Sequence, residues 1–225
     1  MAPDVKPEFL IEQSVLRALG QKVRERLTTN PKVWKVPTDG AEIHAVGHFL
    51  SPQECAAMKV MIDQVARPST VFDMSYKDGF RTSFSGDVDP HDPFIKQIDG
   101  RINALLGIDA SFGETIQGQR YMPGQQFKPH HDWFHPGTSY WESESARGGQ
   151  RAYTAMVYLN TVTEGGATEF PELGLSIDPA EGVLLFWNNA DPDGIPNPKT
   201  LHAGRPVVRG TKYVITKWYR ARAWS

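Results

Sequence analysis

Lys128-Pro129-His130-His131-Asp132-Trp133-Phe134, read with the distant Leu201-His202-Ala203-Gly204, decides the reading of this chain. Side chains alternate along an extended segment, so a strand over 127–134 puts His130 and Asp132 on one face. A divalent metal held by that pair still lacks an arm, and His202, in another predicted strand, can supply it. Two imidazoles and one carboxylate form the facial triad of non-haem Fe(II) oxygenases, with three coordination positions left open. An isolated His-x-Asp pair is common on exposed surfaces, so the informative signal is the whole set. Ten residues past His202, Lys212 opens the alternating run Lys212-Tyr213-Val214-Ile215-Thr216-Lys217-Trp218. An inward-facing cation on a strand near such a metal is a natural anchor for the far carboxylate of a dicarboxylate cosubstrate.

The surroundings of this set read as short strands. Strand-like runs lie at 115–121, 127–134, 153–159, 166–170, 175–177, 182–187, 201–202 and 213–219. Between them stand turn formers such as Pro123-Gly124, Glu164-Gly165-Gly166 and Arg209-Gly210. The spacing predicts a mainly-β jelly-roll barrel with supporting N-terminal α-helices on one side. A long polar segment over 135–150 follows the proposed metal pair and reads as a lid or substrate-binding loop.

The first half of the chain reads as helical support. Val15, Leu19, Val23 and Leu27 recur every four residues, with Leu16 beside them, and predict a helix over 9–27. Residues 41–49 read as a strand whose His44 and His48 are solvated or structural. Ser51-Pro52-Gln53-Glu54 is a capping box with proline at the first helical position, so a helix should run to about Ala66, with Cys55, Met58, Val60, Met61 and Val65 on its apolar faces. Residues 70–90 read as short strands and turns. A further helix should span 92–106, with Ile95, Ile98, Ile102 and Leu105 inward, after an exposed His91. The chain divides into an N-terminal helical extension over 1–35 and one catalytic-size domain over 36–225.

Composition narrows the classes. The 225 residues, 40% of them hydrophobic, can bury one sizeable core. A net charge of -2 carries no electrostatic footprint for nucleic acid or an anionic membrane. The one cysteine, Cys55, excludes an internal disulfide framework and suits a reducing compartment. The opening Met1-Ala2-Pro3-Asp4-Val5-Lys6 has no apolar core of a signal peptide, and no apolar run reaches the ~20 residues of a membrane span. The expectation is a cytoplasmic protein with no nucleic-acid or membrane partner.

The ordered blocks then resemble a known family. Arg120-Tyr121-x-x-Gly124-Gln125-x-Phe127, His130-x-Asp132, Gly148-Gly149-Gln150-Arg151, Tyr158-Leu159-Asn160, Glu164-Gly165-Gly166-x-Thr168-x-Phe170-Pro171, Phe186-Trp187-Asn188, Leu201-His202-Ala203-Gly204-x-Pro206-Val207, Gly210-x-Lys212 and Lys217-Trp218 resemble the catalytic domain of prolyl 4-hydroxylases. The likeness runs from about 41 to 222 and is densest from 120 on. It implies a double-stranded β-helix, Fe(II), and 2-oxoglutarate and O₂ as cosubstrates, with ascorbate as a candidate reductant. It implies that His130, Asp132 and His202 hold the iron, and that Lys212 pairs with the C5 carboxylate of 2-oxoglutarate, helped by the hydroxyls of Tyr121 and Thr168. Arg151 and Trp218 are implied near the substrate or cosubstrate, although such residues are also ordinary surface and core types.

Two positions depart from the family pattern. Members acting on peptidyl proline often carry tyrosine three residues before the first iron histidine; here Phe127 stands there, and a hydroxyl facing the substrate is missing. Arg205 occupies a position where a small residue or cysteine is common. Both leave the oxygenase chemistry intact and bear on the substrate. The implied reaction is hydroxylation at C4 of a prolyl residue in a peptide or protein, with decarboxylation of 2-oxoglutarate to succinate. The alternatives are a free amino acid or other small metabolite as substrate, a metal-binding cupin without 2-oxoglutarate, and a non-catalytic metal-binding or sensor module. The triad with Lys212 counts against the last two.

Overall fold

The computed structural model describes residues 10–70 and 79–225. Among these residues, helices α1 (Gln13–Thr28), α2 (Pro52–Val65), α3 (Pro93–Leu106) and α4 (Trp141–Ala146) accompany fourteen strands. In chain order these are β1 (Trp34–Lys35), β2 (Ile43–Val46), β3 (Arg67–Pro68), β4 (Phe84–Asp87), β5 (Gln117–Tyr121), β6 (Phe127–His130) and β7 (Arg151–Tyr158). They continue with β8 (Glu164–Gly165), β9 (Thr168–Phe170), β10 (Leu175–Ile177), β11 (Leu184–Asn188), β12 (His202–Gly204), β13 (Val207–Arg209) and β14 (Lys212–Arg220).

The helices start and stop where local chemistry dictates. Ser51 Oγ accepts the Glu54 N–H at 3.2 Å while Glu54 Oε2 accepts the Ser51 N–H at 2.7 Å, so the capping box that predicts α2 is formed. Asp92 caps α3, and Gly107, at φ 68°, closes it in the left-handed conformation that glycine tolerates. Arg26 of α1 donates to the α3 carbonyls of Ala104 (2.8 Å) and Leu105 (3.2 Å), satisfying groups that helix geometry leaves unpaired.

The strands form an eight-stranded sheet in the order β1-β2-β11-β7-β14-β5-β4-β3, a four-stranded sheet β10-β9-β12-β6, and the pair β13-β8. The period of two sorts the side chains of the large sheet. On β7, Tyr153, Ala155 and Val157 join a core with Leu16, Val23 and Leu27 of α1, Met58 and Ile62 of α2, and Ile95, Ile98 and Ile102 of α3. The alternate Met156 and Tyr158 pack with Leu185, Trp187 and Val214 against Phe170 of the small sheet. All eight residues of β7 are buried because both faces are covered. Lys217 follows the helix-side parity of β14 and pairs with Asp99 of α3 at 2.5 Å. Helices thus cover one face, and the other face meets the small sheet.

The structure differs from expectation at several points. The two main sheets face each other without closing into a single hydrogen-bonded barrel. The strand expected over 127–134 ends at His130, so Asp132 lies in the following bend rather than on the strand. The 135–150 segment, read as loop, contains α4. Val15 and Val60 are exposed, because the helices bury narrower stripes than their apolar content suggests. Strands β1, β3 and β13 have only two or three residues each and carry no readable alternation. Of the turns and strands expected over 70–90, residues 71–78 lie outside the described residues, as does Phe9 of the first helix. His44 is buried and stacked on Phe186, while His48 and His91 are exposed.

Candidate active site

Strand pairing brings the two histidines together. β6 runs antiparallel to β12 with His130 opposite His202, and their ring centroids lie 4.3 Å apart. His130 Nδ1 lies 2.8 Å from the Lys128 carbonyl and His202 Nδ1 lies 3.0 Å from the Thr200 carbonyl. A carbonyl can only accept, so Nδ1 carries the proton in both rings and Nε2 keeps its lone pair for a metal. Asp132, two residues on, swings back from the bend. Its Oδ1 is 3.9 Å from His130 Nε2 and its Oδ2 3.6 Å from His202 Nε2. One ligand atom from each residue falls within 4.8 Å of the others, and all three residues are buried.

A hydrogen-bonded column stands behind the carboxylate. Thr154 Oγ1 on β7 donates to Asp132 Oδ2 at 2.7 Å. Asn189 Nδ2 donates to Thr154 Oγ1 at 2.9 Å, and Trp187 Nε1 donates to Asn189 Oδ1 at 3.0 Å. Burial opposes ionisation of Asp132, but the imidazoles of His202 and His130, the Arg151 charge and the Thr154 hydroxyl outweigh it and keep its pKa low. Burial, with His202 beside it, pushes His130 well below the usual imidazole range. Neutral imidazole nitrogens and an ionised carboxylate oxygen are the donors that a divalent first-row metal takes, so the residues fit Fe(II).

The same inner cavity is lined by Lys212, Tyr121 and Thr168. β14 pairs with β5 so that Lys212 stands opposite Tyr121. Lys212 is 2% exposed, and burial lowers its pKa to about 7. Its Nζ lies 3.4 Å from Thr168 Oγ1 and 5.5 Å from the ring centres of Tyr121 and Tyr158. Among the described residues no carboxylate pairs with it. A buried ammonium without a counter-ion is unfavourable until an anion arrives, so the cavity fits a ligand with a carboxylate at this end. Tyr158 Oη donates to Thr168 Oγ1 (2.7 Å), Tyr121 Oη to Gln119 Oε1 (2.7 Å), and Gln119 Nε2 to Thr216 Oγ1 (3.1 Å). Tyr158, Gln119 and Thr216 are not among the site residues expected from the sequence, yet each follows the inward parity of its strand.

His130 and Asp132 also line a larger outer cleft, walled by Phe80, Trp133, Phe134, Tyr140, Trp218 and Trp224. Arg151 sits there but is not a free charge. It forms a two-point pair with Glu114 (Nε–Oε1 and Nη2–Oε2, both 2.7 Å) and lies 4.0 Å above the Trp218 ring. Arg220 shares Glu114 at 2.9 Å and also pairs with Glu144 of α4. Trp218 borders both cavities, and its buried Nε1–H meets no acceptor among the described residues. Phe127 stacks on His130 with centroids 3.5 Å apart, and the Arg81 guanidinium lies 4.7 Å from the Phe127 ring. Phe127 therefore packs against a candidate ligand ring. Arg205 points outward and pairs with Glu169 at 3.5 Å, away from the cavity. Glu114, Arg81 and Asn189 belong to no motif and become visible only when the strands are aligned.

Known proteins resemble this chain in sequence and fold. Residues 116–220 match the model of the 2OG-Fe(II) oxygenase superfamily. The chain is 36% identical to prolyl 4-hydroxylase 1 of Arabidopsis thaliana over 198 residues, covering 79% of this chain and 68% of that protein. It is 38% identical over 130 residues to prolyl 4-hydroxylase subunit alpha-1 of Gallus gallus, covering 58% of this chain and 25% of that longer protein. The fold superposes on the 2OG complex of the viral collagen prolyl hydroxylase of Paramecium Bursaria Chlorella virus-1, with a TM-score of 0.63, 28% identity, and 79% of this chain and 95% of that chain covered. With a buried His-Asp-His cluster and a lysine-ended cavity on the same framework, the chain belongs to the prolyl 4-hydroxylase family of Fe(II)- and 2-oxoglutarate-dependent dioxygenases.

Proposed function

We propose that this enzyme hydroxylates prolyl residues, at C4, in a proline-rich peptide or protein segment. The observation that carries the reading is a pair of neighbouring cavities with shared walls: the inner one is lined by the candidate ligands and Lys212, and His130, Asp132 and Trp218 also line the outer one, an aromatic-walled cleft. Proline-rich segments adopt an extended helix with no internal hydrogen bonds, so their rings pack on aromatic walls while their carbonyls remain free to be bound. Trp133, Tyr140, Trp218 and Trp224 offer the walls, and the Trp218 N–H, which meets no acceptor among the described residues, offers a donor.

In this reading His130 Nε2, Asp132 and His202 Nε2 hold Fe(II), and Lys212, with the hydroxyls of Thr168 and Tyr121 near it, binds the C5 carboxylate of 2-oxoglutarate. When bound, iron with 2-oxoglutarate and O₂ supplies the oxidant that converts a C–H bond to C–OH, with succinate and CO₂ as co-products. The chain itself orients and shields. Carbonyls of Lys128 and Thr200 fix the imidazole tautomers, and Thr154 fixes the carboxylate. Burial of all three ligands excludes bulk water from the reacting region.

Incubating the Fe(II)-loaded protein in air with 2-oxoglutarate and a panel of proline-rich peptides tests this directly. A peptide that gains one oxygen atom on a prolyl ring, matched by succinate, is the expected result. Succinate formed at one slow rate with every peptide, and no peptide oxidised, would contradict it.

A further inference from the structure

The residue just before α1 does something its position does not require. Glu12 is the N-cap residue of α1, where a carboxylate ordinarily accepts an N–H from its own first helical turn. It makes no such bond. Its side chain is buried, turned away from the helix, and placed against the segment leading into β7. Oε2 accepts the Gln150 N–H at 2.6 Å, and Oε1 pairs with Arg222 at 3.0 Å. Gly149, at φ 76°, brings its Cα so close that a Cβ there would collide with the Glu12 carboxylate.

Gln150 passes this anchoring on. Its side chain grips the backbone of Phe134 on both sides: Phe134 N–H donates to Oε1 at 2.8 Å, and Nε2 donates to the Phe134 carbonyl at 2.5 Å. Phe134 is two residues beyond Asp132, and its ring lies 4.9 Å from the Arg151 guanidinium and 4.6 Å from that of Arg220. Arg220 in turn donates to the Gly149 carbonyl at 2.6 Å. One carboxylate from the N-terminal turn therefore fixes the 148–150 backbone, and 148–150 fixes one wall of the outer cleft. The hydrogen bonds that Lys212, Thr168 and Tyr121 make at the inner end involve other residues: Lys212 with Thr168, Tyr158 with Thr168, and Tyr121 with Gln119.

We propose that Glu12 is a positioning residue for the substrate-side wall of the cleft, acting through Gln150 on Phe134 and Arg151. Its kinetic consequence rests on the prolyl-peptide reading above; its structural consequence does not. Glu12→Ala removes both bonds, while α1 stays docked through Leu16, Val23 and Leu27. Glu12→Gln keeps an acceptor for the Gln150 N–H and loses only the charge opposite Arg222.

The experiment compares wild type, Glu12→Ala and Glu12→Gln by amide hydrogen exchange and by steady-state kinetics with a proline-rich peptide. In Glu12→Ala, exchange should quicken over 132–136 and 148–151 and stay unchanged over 212–216. The peptide KM should rise about tenfold and the 2-oxoglutarate KM less than about twofold, given the strength of a charge-assisted bond to a buried partner. Glu12→Gln should recover most of both effects. Unchanged exchange over 132–136 in Glu12→Ala, or equal rises in the two KM values, overturns the proposal. If the wild type oxidises no peptide, the prolyl reading fails, and the exchange measurement still decides the role of Glu12.

Discussion

Thr154 ties Asp132 to the residues behind it, because one hydroxyl serves two neighbours. It donates to Asp132 Oδ2 and accepts from Asn189 Nδ2. Thr154→Val keeps the shape and removes both bonds, leaving the Asn189 amide buried without its acceptor. Fe(II) affinity should fall about 10–100-fold, as for other outer-layer partners of metal ligands. Folding stability should fall by about 1–3 kcal/mol. A metal titration and a thermal melt on the same sample check both. Lys212 gives a prediction in pH. Burial lowers its pKa to about 7, from an unfolded value of about 10.4. The group is therefore charged in the fold only at low pH, where its burial penalty is fully present; stability rises as pH climbs from about 7 and the proton leaves. A dicarboxylate binds the charged form, so 2-oxoglutarate affinity should drop by about tenfold per unit once pH is well above 7. Lys212→Met should raise the melting temperature of the metal-free protein below pH 7 and abolish that pH dependence; a variant that still binds 2-oxoglutarate with the same pH profile would show that another cation serves the carboxylate. The gathering of His130, Asp132 and His202, with Lys212 lining the same cavity, was legible because the spacing in the sequence ties these positions to one another. Thr154, Asn189 and Glu114 were not, since a threonine, an asparagine or a glutamate acquires meaning only from the strand or loop that comes to lie across from it.

At the scale of elements, capping and register settle most of what the site needs. α2 begins at a formed capping box, and Ile62 of that helix lies over Gly118 of β5, where a Cβ would stand 2.3 Å from the isoleucine. Ser51→Ala removes the cap, and should cost about 1 kcal/mol, a fall of about 2–4 °C in melting temperature for a chain of this size. Iron and 2-oxoglutarate affinities should not change, because α2 packs on the face of the sheet away from the cavities. A loss of iron binding in that variant would mean that the two faces are coupled. The helices were readable from caps and four-residue apolar spacing. The end of β6 was not. Strand alternation placed His130 and Asp132 on one face, but the strand stops at His130, and the bend returns the Asp132 carboxylate to the histidines. The two geometries bring the same atoms together, so the sequence pattern points to the cluster while misplacing its backbone. α4 was hidden for another reason: six residues rich in serine and glutamate carry no apolar stripe, and Glu144 is buried only because Arg220 meets it.

Across the whole molecule, the large sheet divides the work. Its helix-facing side holds the core with α1, α2 and α3, and its other side brings Lys212 of β14 to a cavity that His130 and His202 of the opposing small sheet also line. Alternation within β7 and β14 is the device that serves both sides at once, since neighbouring residues on one strand answer to different requirements. The fold class was legible from the number and spacing of short strands; the two-sheet arrangement without full closure was not, because pairing across β6, β9, β10 and β12 depends on contacts distant in sequence. No described helix is long and apolar enough to cross a membrane. The central claim joins the buried cluster to oxidation of a prolyl ring, so the measurement that tests it most directly is hydroxyproline and succinate counted in the same reaction, for the wild type and for Asp132→Ala. Equal amounts of the two products in the wild type and neither in the variant are predicted. Full turnover by Asp132→Ala, or succinate without hydroxyproline for every peptide offered to the wild type, would contradict the account.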